Sequence, residues 1–304
     1  MVVSNSIYQV LADEYSDFSD KVTIIKTFKL DGEVEDTIED SQLSINDSFI
    51  IYISGQDING AVTKSSRSDV NMLAVVNPKT KHVLLVNTPR DFYVPLYGKP
   101  GLRDKLTHAG IYGVMESANT LGDLYGIKID AYVKVCYDTL KIIVDEIGGV
   151  DIYSDITFRS SHMKSWTVNK GMNHMDGAQA LAFSRERYAY ASGDRHRGEN
   201  QQAVLTAIIN KVSQNKSYLL KYTEVLKKLD KYIYTNVSMD DIQALVKDQL
   251  NHLSRWNVES ISADGKGASE YTYSIPNAKA YVMVPDDASV NNVKEKIKEV
   301  VGES

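Results

Sequence analysis

The chain has 304 residues, 43% of them hydrophobic and 24% charged, with a formal net charge of −6 at pH 7. That length and apolar fraction allow a large core in one or two domains, while the acidic balance excludes broad nucleic-acid binding, which needs a basic face. The lone Cys136 rules out an internal disulfide and reads as a packed core thiol, and no apolar run approaches the ~20 residues that carry a helix across a bilayer.

In chain order, residues 1–45 read as a helix over 6–17, a strand over 22–28 and an acidic linker from Asp31 to Asp47. They are too short for a core of their own. The main body, 46–304, opens on a buried strand from Phe49 that runs out to Gly55 and the carboxylate of Asp57. Apolar β-branched runs at 70–76 and 81–87 flank the turn signal Asn77-Pro78-Lys79-Thr80. A three-and-four helical pattern then passes through Ile111, Val114, Met115, Ala118 and Leu121. A strand over 129–137, a helix over 138–147 and a strand over 150–153 follow, then a short helix with Asp176 as N-cap, ending near Ser184. Helices near 199–213, 216–230 and 239–254 come next, the last capped by Ser238 with Asp241 three residues on. A short strand near 281–284 and a helix from Ala288 close the chain. This alternation predicts a three-layer α-β-α body of the α/β or α+β class.

With Asn77 facing Thr80, the hairpin places Val70 opposite Asn87, Asp69 opposite Thr88 and Arg67 opposite Arg90. Two guanidiniums side by side are unfavourable unless an anion lies between them; solvated loop-end charges are the bland alternative. A second basic stretch holds Arg185, Arg187, Arg195 and Arg197 within thirteen residues of an otherwise acidic chain. Arginine presents a planar fork of donors that matches phosphate oxygens two at a time. Arg185 and Arg187 point to the same side of an extended segment, whereas Asp194, Arg197 and Gln201 share one face of a helix start, whose dipole adds to the pull on an anion. A salt-bridged surface involving Glu186 and Glu199 is the alternative. The two stretches together point to a pyrophosphate site. Without an anion, five guanidiniums (Arg67, Arg90, Arg185, Arg187, Arg197) would repel one another, and removing one should improve folding. Asp57 and Asp69, each at a strand edge beside arginines, suit Mg²⁺, which takes one or two carboxylates plus waters and phosphates. The alternative is that both only orient arginines.

These segments, in this order, resemble the LytR-CpsA-Psr family of bacterial cell-envelope proteins. The matches include Ile53 to Asp57, Arg67-Ser68-Asp69, Asn77 to Thr80, Thr88-Pro89-Arg90-Asp91, Lys105 to Ala109, Gly148 to Ile152, Asp176-Gly177, Ala182 to Arg187, and Gly193 to Arg197 with Gln201-Gln202. The resemblance covers about 46–215 and looks closest to streptococcal capsule-biosynthesis members, residues 1–45 then being the remnant of an accessory domain. Asn200 departs from the family, which often has arginine there, and His196 stands where glycine is common.

The resemblance implies a mixed central sheet and a membrane-anchored protein whose catalytic domain lies on the extracellular face. It implies an enzyme that moves a glycopolymer, here capsular polysaccharide or a relative, from a polyprenyl-pyrophosphate carrier to peptidoglycan. Carried over by position, Asp57 and Asp69 would hold Mg²⁺ (Mn²⁺ as an alternative), and Arg67, Arg90, Arg185, Arg187, Arg197 and Gln201 would grip the pyrophosphate. Arg90, Arg185, Arg187 and Asp57 would then be the catalytic set. The polyprenyl tail needs an apolar slot, expected between the sheet and the helices. Asp57, Asp91 and Asp194 are all open as the group that takes the acceptor proton. Other readings are a non-catalytic polyprenyl-phosphate binder of capsule assembly and a lipid pyrophosphatase. The opening Met1-Val2-Val3, running straight into an apolar stretch, leads us to expect a transmembrane anchor upstream of residue 1.

Overall fold

The structure is a computed structural model that describes residues 40–302. The helix and strand expected over 6–17 and 22–28, and with them most of the accessory-domain remnant, lie outside the described residues.

Strands β1 (Phe49–Gly55), β2 (Val70–Asn77) and β3 (His82–Asn87) form an antiparallel meander. The β2–β3 turn closes later than the sequence indicates: Asn77 pairs with His82 and Met72 with Asn87. Lys81 adopts a left-handed backbone (φ 52) and so joins the connection, which Asn77 Oδ1 braces by accepting from Thr80 N at 3.2 Å. A two-residue shift keeps every side chain on its face but changes what meets at the open end. Asp69, not Arg67, comes level with Arg90.

Strands β4 (Tyr93–Pro95) and β5 (Arg103–Lys105) pair beside the sheet and lead through α1 (Leu106–Ala109) into α2 (Val114–Tyr125). Then come β6 (Ala131–Val135), α3 (Tyr137–Glu146) and the small strands β7 (Val150–Ser154), β8 (Phe158–Arg159), β9 (Thr167–Val168) and β10 (Gly171–Met175). Helix α4 (Gly177–Ser184) starts on the expected N-cap Asp176, which accepts from Gln179 N, and Gln179 Oε1 accepts from Asp176 N to complete a capping box. Helices α5 (Asp194–Ser213), α6 (Lys216–Leu220) and α7 (Tyr222–Leu229) precede β11 (Ile233–Thr235). Helix α8 (Met239–His252) is capped by Ser238, and β12 (Asn257–Ser262), β13 (Gly265–Thr272), β14 (Ile275–Pro285) and α9 (Asp287–Val301) complete the fold.

The central sheet runs β11-β6-β1-β2-β3-β12. It is mixed: β6 lies parallel to β1 and β12 parallel to β3, the other pairs being antiparallel. Period-two alternation gives the sheet two apolar faces. Tyr52, Leu73, Val75 and Leu84 pack against Leu121 of α2 and Val293 and Ile297 of α9. Met72, Ala74, Val83 and Leu85 face Leu205 and Ile209 of α5. Each such fully buried aliphatic side chain contributes roughly 1.5–3 kcal/mol. The predicted three-layer α-β-α body is thus what the chain adopts. Among the described residues, no helix is long and apolar enough to cross a membrane.

Candidate functional site

The register Gly55↔Val70 brings the ends of β1 and β2 to one edge of the sheet, and Asp69 N donates to Gly55 O at 2.8 Å. Asp57 and Asp69 therefore stand close together. Desolvation, and then the charge of Asp69, push the Asp57 carboxyl above the usual carboxylate range, against the pull of Arg197, Arg185 and Arg90. Asp57 is exposed at the rim, so water softens the desolvation and the repulsion from Asp69 is the durable part.

Arg90, just past β3, reaches back to Asp69 with Nη1 2.7 Å from Oδ1. Burial works against its charge, but the Asp69 hydrogen bond and the nearby carboxylates Asp91 and Asp194 outweigh that and hold its pKa above the ordinary value. Its Nε is buried without a hydrogen-bond partner and faces Asp91 Oδ2 at 3.8 Å, so the rest of the planar fork is what remains for phosphate oxygens. Arg185, the C-cap of α4, lays its guanidinium over the Tyr137 ring at 4.4 Å. Tyr137 in turn lies against Asp57. Burial, and then that carboxylate, push its hydroxyl up to about 12, so it remains a proton donor at neutral pH.

Two cavities meet at these residues. An apolar one of about 330 Å³ runs between the sheet and helices α3, α4 and α5, walled by side chains such as Ile53, Met72, Ile143, Leu205 and Ile208. This is where the sequence placed the lipid slot. Its mouth carries Asp57, Tyr137, Arg185 and Gln201. On the far side of Gln201 lies a small cleft of about 70 Å³ lined by Asp69, Arg90, Asp91, Asp194, Arg197 and Tyr281, among others. Gln201 borders both.

The arginines are not a bare cationic cluster. Asp194 lies between Arg187 (3.5 Å) and Arg197 (3.6 Å), and Arg195 pairs with Asp264 at 2.8 Å. The mutual repulsion expected of five bare guanidiniums is thus relieved within the protein for three of them: Arg90 pairs with Asp69, and Arg187 and Arg197 share Asp194. Arg90, Arg185, Arg197 and Gln201 border the two cavities. Arg67 and Arg187 do not join them. Arg67 is exposed on the loop before β2, whose backbone is tied to α1 by Ser68 N donating to Thr107 O at 3.0 Å. Arg187 turns outward, donating to the Tyr188 hydroxyl at 2.7 Å.

Glu186, which the salt-bridged-surface alternative sets against the arginines, has a different role. It is fully buried and accepts from the backbone amides of Ser161 (2.7 Å), Arg187 (3.1 Å), Tyr188 (2.9 Å) and Ala189 (3.3 Å). Asn200, the departure from the family, is also buried and donates to Phe183 O and Glu186 O. The pair fixes the backbone that presents Arg185. Burial alone would raise Glu186, but the amide bonds outweigh it and depress its pKa. A depressed folded pKa means its stabilisation is present above the unfolded carboxylate pKa and fades as pH falls through the folded one. Glu186→Ala should cost roughly 1.5–3 kcal/mol, the scale of hydrogen bonds to a charged group, and Glu186→Gln less. Thermal unfolding of both variants at neutral pH and at about pH 3 checks this, since the gap from wild type should narrow in acid.

Among the described residues no group of three or more His, Cys, Asp or Glu side chains converges as a metal cage. The Asp57–Asp69 pair nevertheless fits Mg²⁺. The ion asks for one or two carboxylates and completes its shell with water and phosphate, and their repulsion is what a cation relieves. His196, stacked on Tyr190 and paired with Glu199 at 2.8 Å, belongs to the packing of the loop.

Comparison with known proteins agrees with this architecture. The LytR_cpsA_psr family model matches residues 9–299. The polyisoprenyl-teichoic acid–peptidoglycan teichoic acid transferase TagU of Bacillus mycoides is 31% identical over 282 residues, covering 91% of this chain and 90% of its own. The Bacillus cereus protein of the same name is 32% identical over 256 residues, covering 83% and 82%. Among solved structures, TagT bound to LIIa-WTA superposes with a TM-score of 0.71 at 26% identity, covering 89% of this chain and all of that one (100%). B. subtilis TagV gives 0.69 at 26% identity, covering 85% and 99%. These relatives are named for teichoic acid, not for the streptococcal capsule members that the motifs resemble. The chain belongs to the LytR-CpsA-Psr family.

Proposed function

We propose that this chain transfers a cell-wall glycopolymer from a polyprenyl-pyrophosphate carrier to peptidoglycan. The observation that carries the reading is the apolar cavity whose mouth, at Asp57, Arg185 and Gln201, opens beside the arginine cleft. A lipid tail in the cavity brings its pyrophosphate to that junction. The acceptor hydroxyl oxygen bonds to the phosphorus bearing the glycopolymer, its proton passes to a carboxylate at the junction (Asp57, Asp91 or Asp194), the bridging P–O bond breaks, and polyprenyl phosphate leaves. Arg90 and Arg197 hold the phosphate oxygens from the cleft and Arg185 holds them from the mouth, so charge developing in the transition state meets donors already in place. Asp57 and Asp69 would hold Mg²⁺ (or Mn²⁺), which when bound neutralises pyrophosphate charge. The carrier is a membrane lipid and the acceptor is cell wall, so the work takes place at the outer face of the membrane. Cavity and arginines address only the carrier, which teichoic acid and capsular polysaccharide share. Teichoic acid is favoured by the relatives' names, capsule by the motif likeness.

The test is transfer of label from a polyprenyl-pyrophosphate-linked polymer to purified sacculi. Label recovered in insoluble sacculi supports the transferase. Label released as free polymer would make the chain a lipid pyrophosphatase, and no turnover would make it a carrier-binding protein.

Asp57→Ala should abolish Mg²⁺-dependent turnover with the melting temperature nearly unchanged, because Asp57 is exposed. Asp69→Ala should do the same with a small loss of stability, of order 0–1 kcal/mol for its pair with Arg90. Equal Mg²⁺ dependence in wild type and both variants would reduce the two carboxylates to arginine partners.

A further inference from the structure

Beyond the cleft, the β13–β14 hairpin lies beside β4–β5. Met283 N donates to Asp91 O at 2.7 Å, and the Tyr93 hydroxyl donates to Tyr271 O at 2.9 Å. Its turn is pinned by buried Asp104, which accepts from Ser274 N at 2.8 Å and meets His108 Nδ1 at 2.7 Å. The surface so built is aromatic and cationic on an acidic protein. Tyr271 and Tyr281 are each 55% exposed. Lys279 lies over the Tyr271 ring (5.7 Å), Lys105 over Tyr281 (5.8 Å) and Arg103 over Tyr93 (4.8 Å). Lys279 and Tyr271 are cross-strand partners, and Tyr281 is two residues along β14 on the same face. Asp91 is taken by Lys105 at 2.9 Å and Asp104 by the hairpin turn, while Glu270 alternates to the other face of β13. Tyr281 also lines the arginine cleft, so this platform is continuous with it.

We propose that the platform holds the acceptor, an acidic glycan strand of peptidoglycan, an inference that rests on the transferase reading. Phosphoryl transfer places entering and leaving oxygens in line. With the lipid phosphate leaving on the side of the apolar cavity, the nucleophile must arrive from the opposite side of the Gln201 junction. That side is the cleft whose rim is Tyr281. Sugar rings present C–H faces that stack on exposed tyrosines, and stem-peptide carboxylates complement Lys279 and Arg103. The donor polymer does not need this path, because it hangs from the transferred phosphorus rather than in line with the attack.

The experiment is co-sedimentation of the protein with sacculi stripped of teichoic acid, alongside binding of polyprenyl phosphate. Removing Tyr271 and Lys279 together (Y271A/K279A) should weaken sacculus binding about tenfold, the scale of one or two exposed aromatic and charge contacts. Y271F, which keeps the ring, should bind like wild type, and lipid-phosphate affinity should not change in either. If Y271A/K279A fails to fold, R103E/K279E on the intact hairpin makes the same demand. Undiminished sacculus binding in a folded variant, wild type that does not bind sacculi, or loss confined to free teichoic polymer overturns the proposal. Failure of wild type to transfer label, with the variants still losing sacculus binding, would remove the transferase reading and leave the platform standing as a peptidoglycan-binding surface.

Discussion

Replacing Arg90 by alanine should weaken polyprenyl-phosphate binding by roughly 1.5–3 kcal/mol, the value of a hydrogen bond to a charged group. Arg90 combines three properties. It borders the cleft, it is anchored by Asp69 at 2.7 Å, and its Nε, buried without a hydrogen bond, faces Asp91 at 3.8 Å. The rest of the fork, beside the cleft, is what an arriving phosphate oxygen meets. Arg185→Ala should cost a similar amount, since Arg185 reaches the junction from the cavity mouth. Lysine at either position should rescue only in part, restoring charge without the fork. The exposed Arg255→Ala is the control. Melting temperature supplies an independent check. Arg90→Ala leaves Asp69 facing Asp57 without its partner, so stability should fall slightly; a rise would restore the idea of a repelling arginine cluster. Arg90 is also one of the charges that restrain Asp57, so the Asp57 carboxyl should titrate at higher pH in this variant. Isothermal titration and a melting series decide the matter. Unchanged affinity in both Arg90→Ala and Arg185→Ala would sink the site.

Much of this site was legible because its parts sit at the ends of strongly patterned elements. The β-branched runs around Ile53, Val75 and Val86 could hardly be anything but strands, and so the positions of Asp57, Asp69 and Arg90 followed. Asp176 and Ser238 announced their helices by capping chemistry. What failed, failed for physical reasons. The hairpin register depended on whether Lys81 would take a positive φ, which no pattern of side chains reveals, and that shift put Asp69 where Arg67 was expected. Helix α5 begins at Asp194 rather than near 199 because the stretch Asp194 to Asn200 lacks the apolar periodicity by which helices are read. Strands β13 and β14 were nearly invisible. Within β14 only Val282 is fully buried, so the hairpin rests on backbone pairing rather than on a core-facing stripe. Tyr137 and Glu186 could not be singled out from sequence. An aromatic before a helix and an acid between arginines have commoner roles, as core filler and surface charge. Only the fold puts one beneath Arg185 and turns the other inward onto four amides.

Narrowing the apolar cavity should separate recognition of the lipid from recognition of its phosphate. Leu205, half-buried on α5, faces the cavity and is charge-free. Leu205→Trp places a larger apolar side chain into space that the protein alone leaves empty, so the melting temperature should hold or rise, as cavity-filling changes do. A long polyprenyl chain would lose that space. Displacing on the order of 100 Å² of lipid surface at ~25 cal/mol per Å² costs about 2.5 kcal/mol, well over tenfold in affinity. A short geranyl phosphate, whose tail need not reach Leu205, should bind as it does to wild type. The Arg185→Ala variant should show the opposite signature, weakening both ligands equally because both carry the phosphate. A Leu205→Trp protein that melts lower and binds long and short chains with wild-type affinity would show that the cavity is a packing gap and that the lipid lies elsewhere. Titration of the two lipid phosphates against wild type, Leu205→Trp and Arg185→Ala reads all of these outcomes in one series.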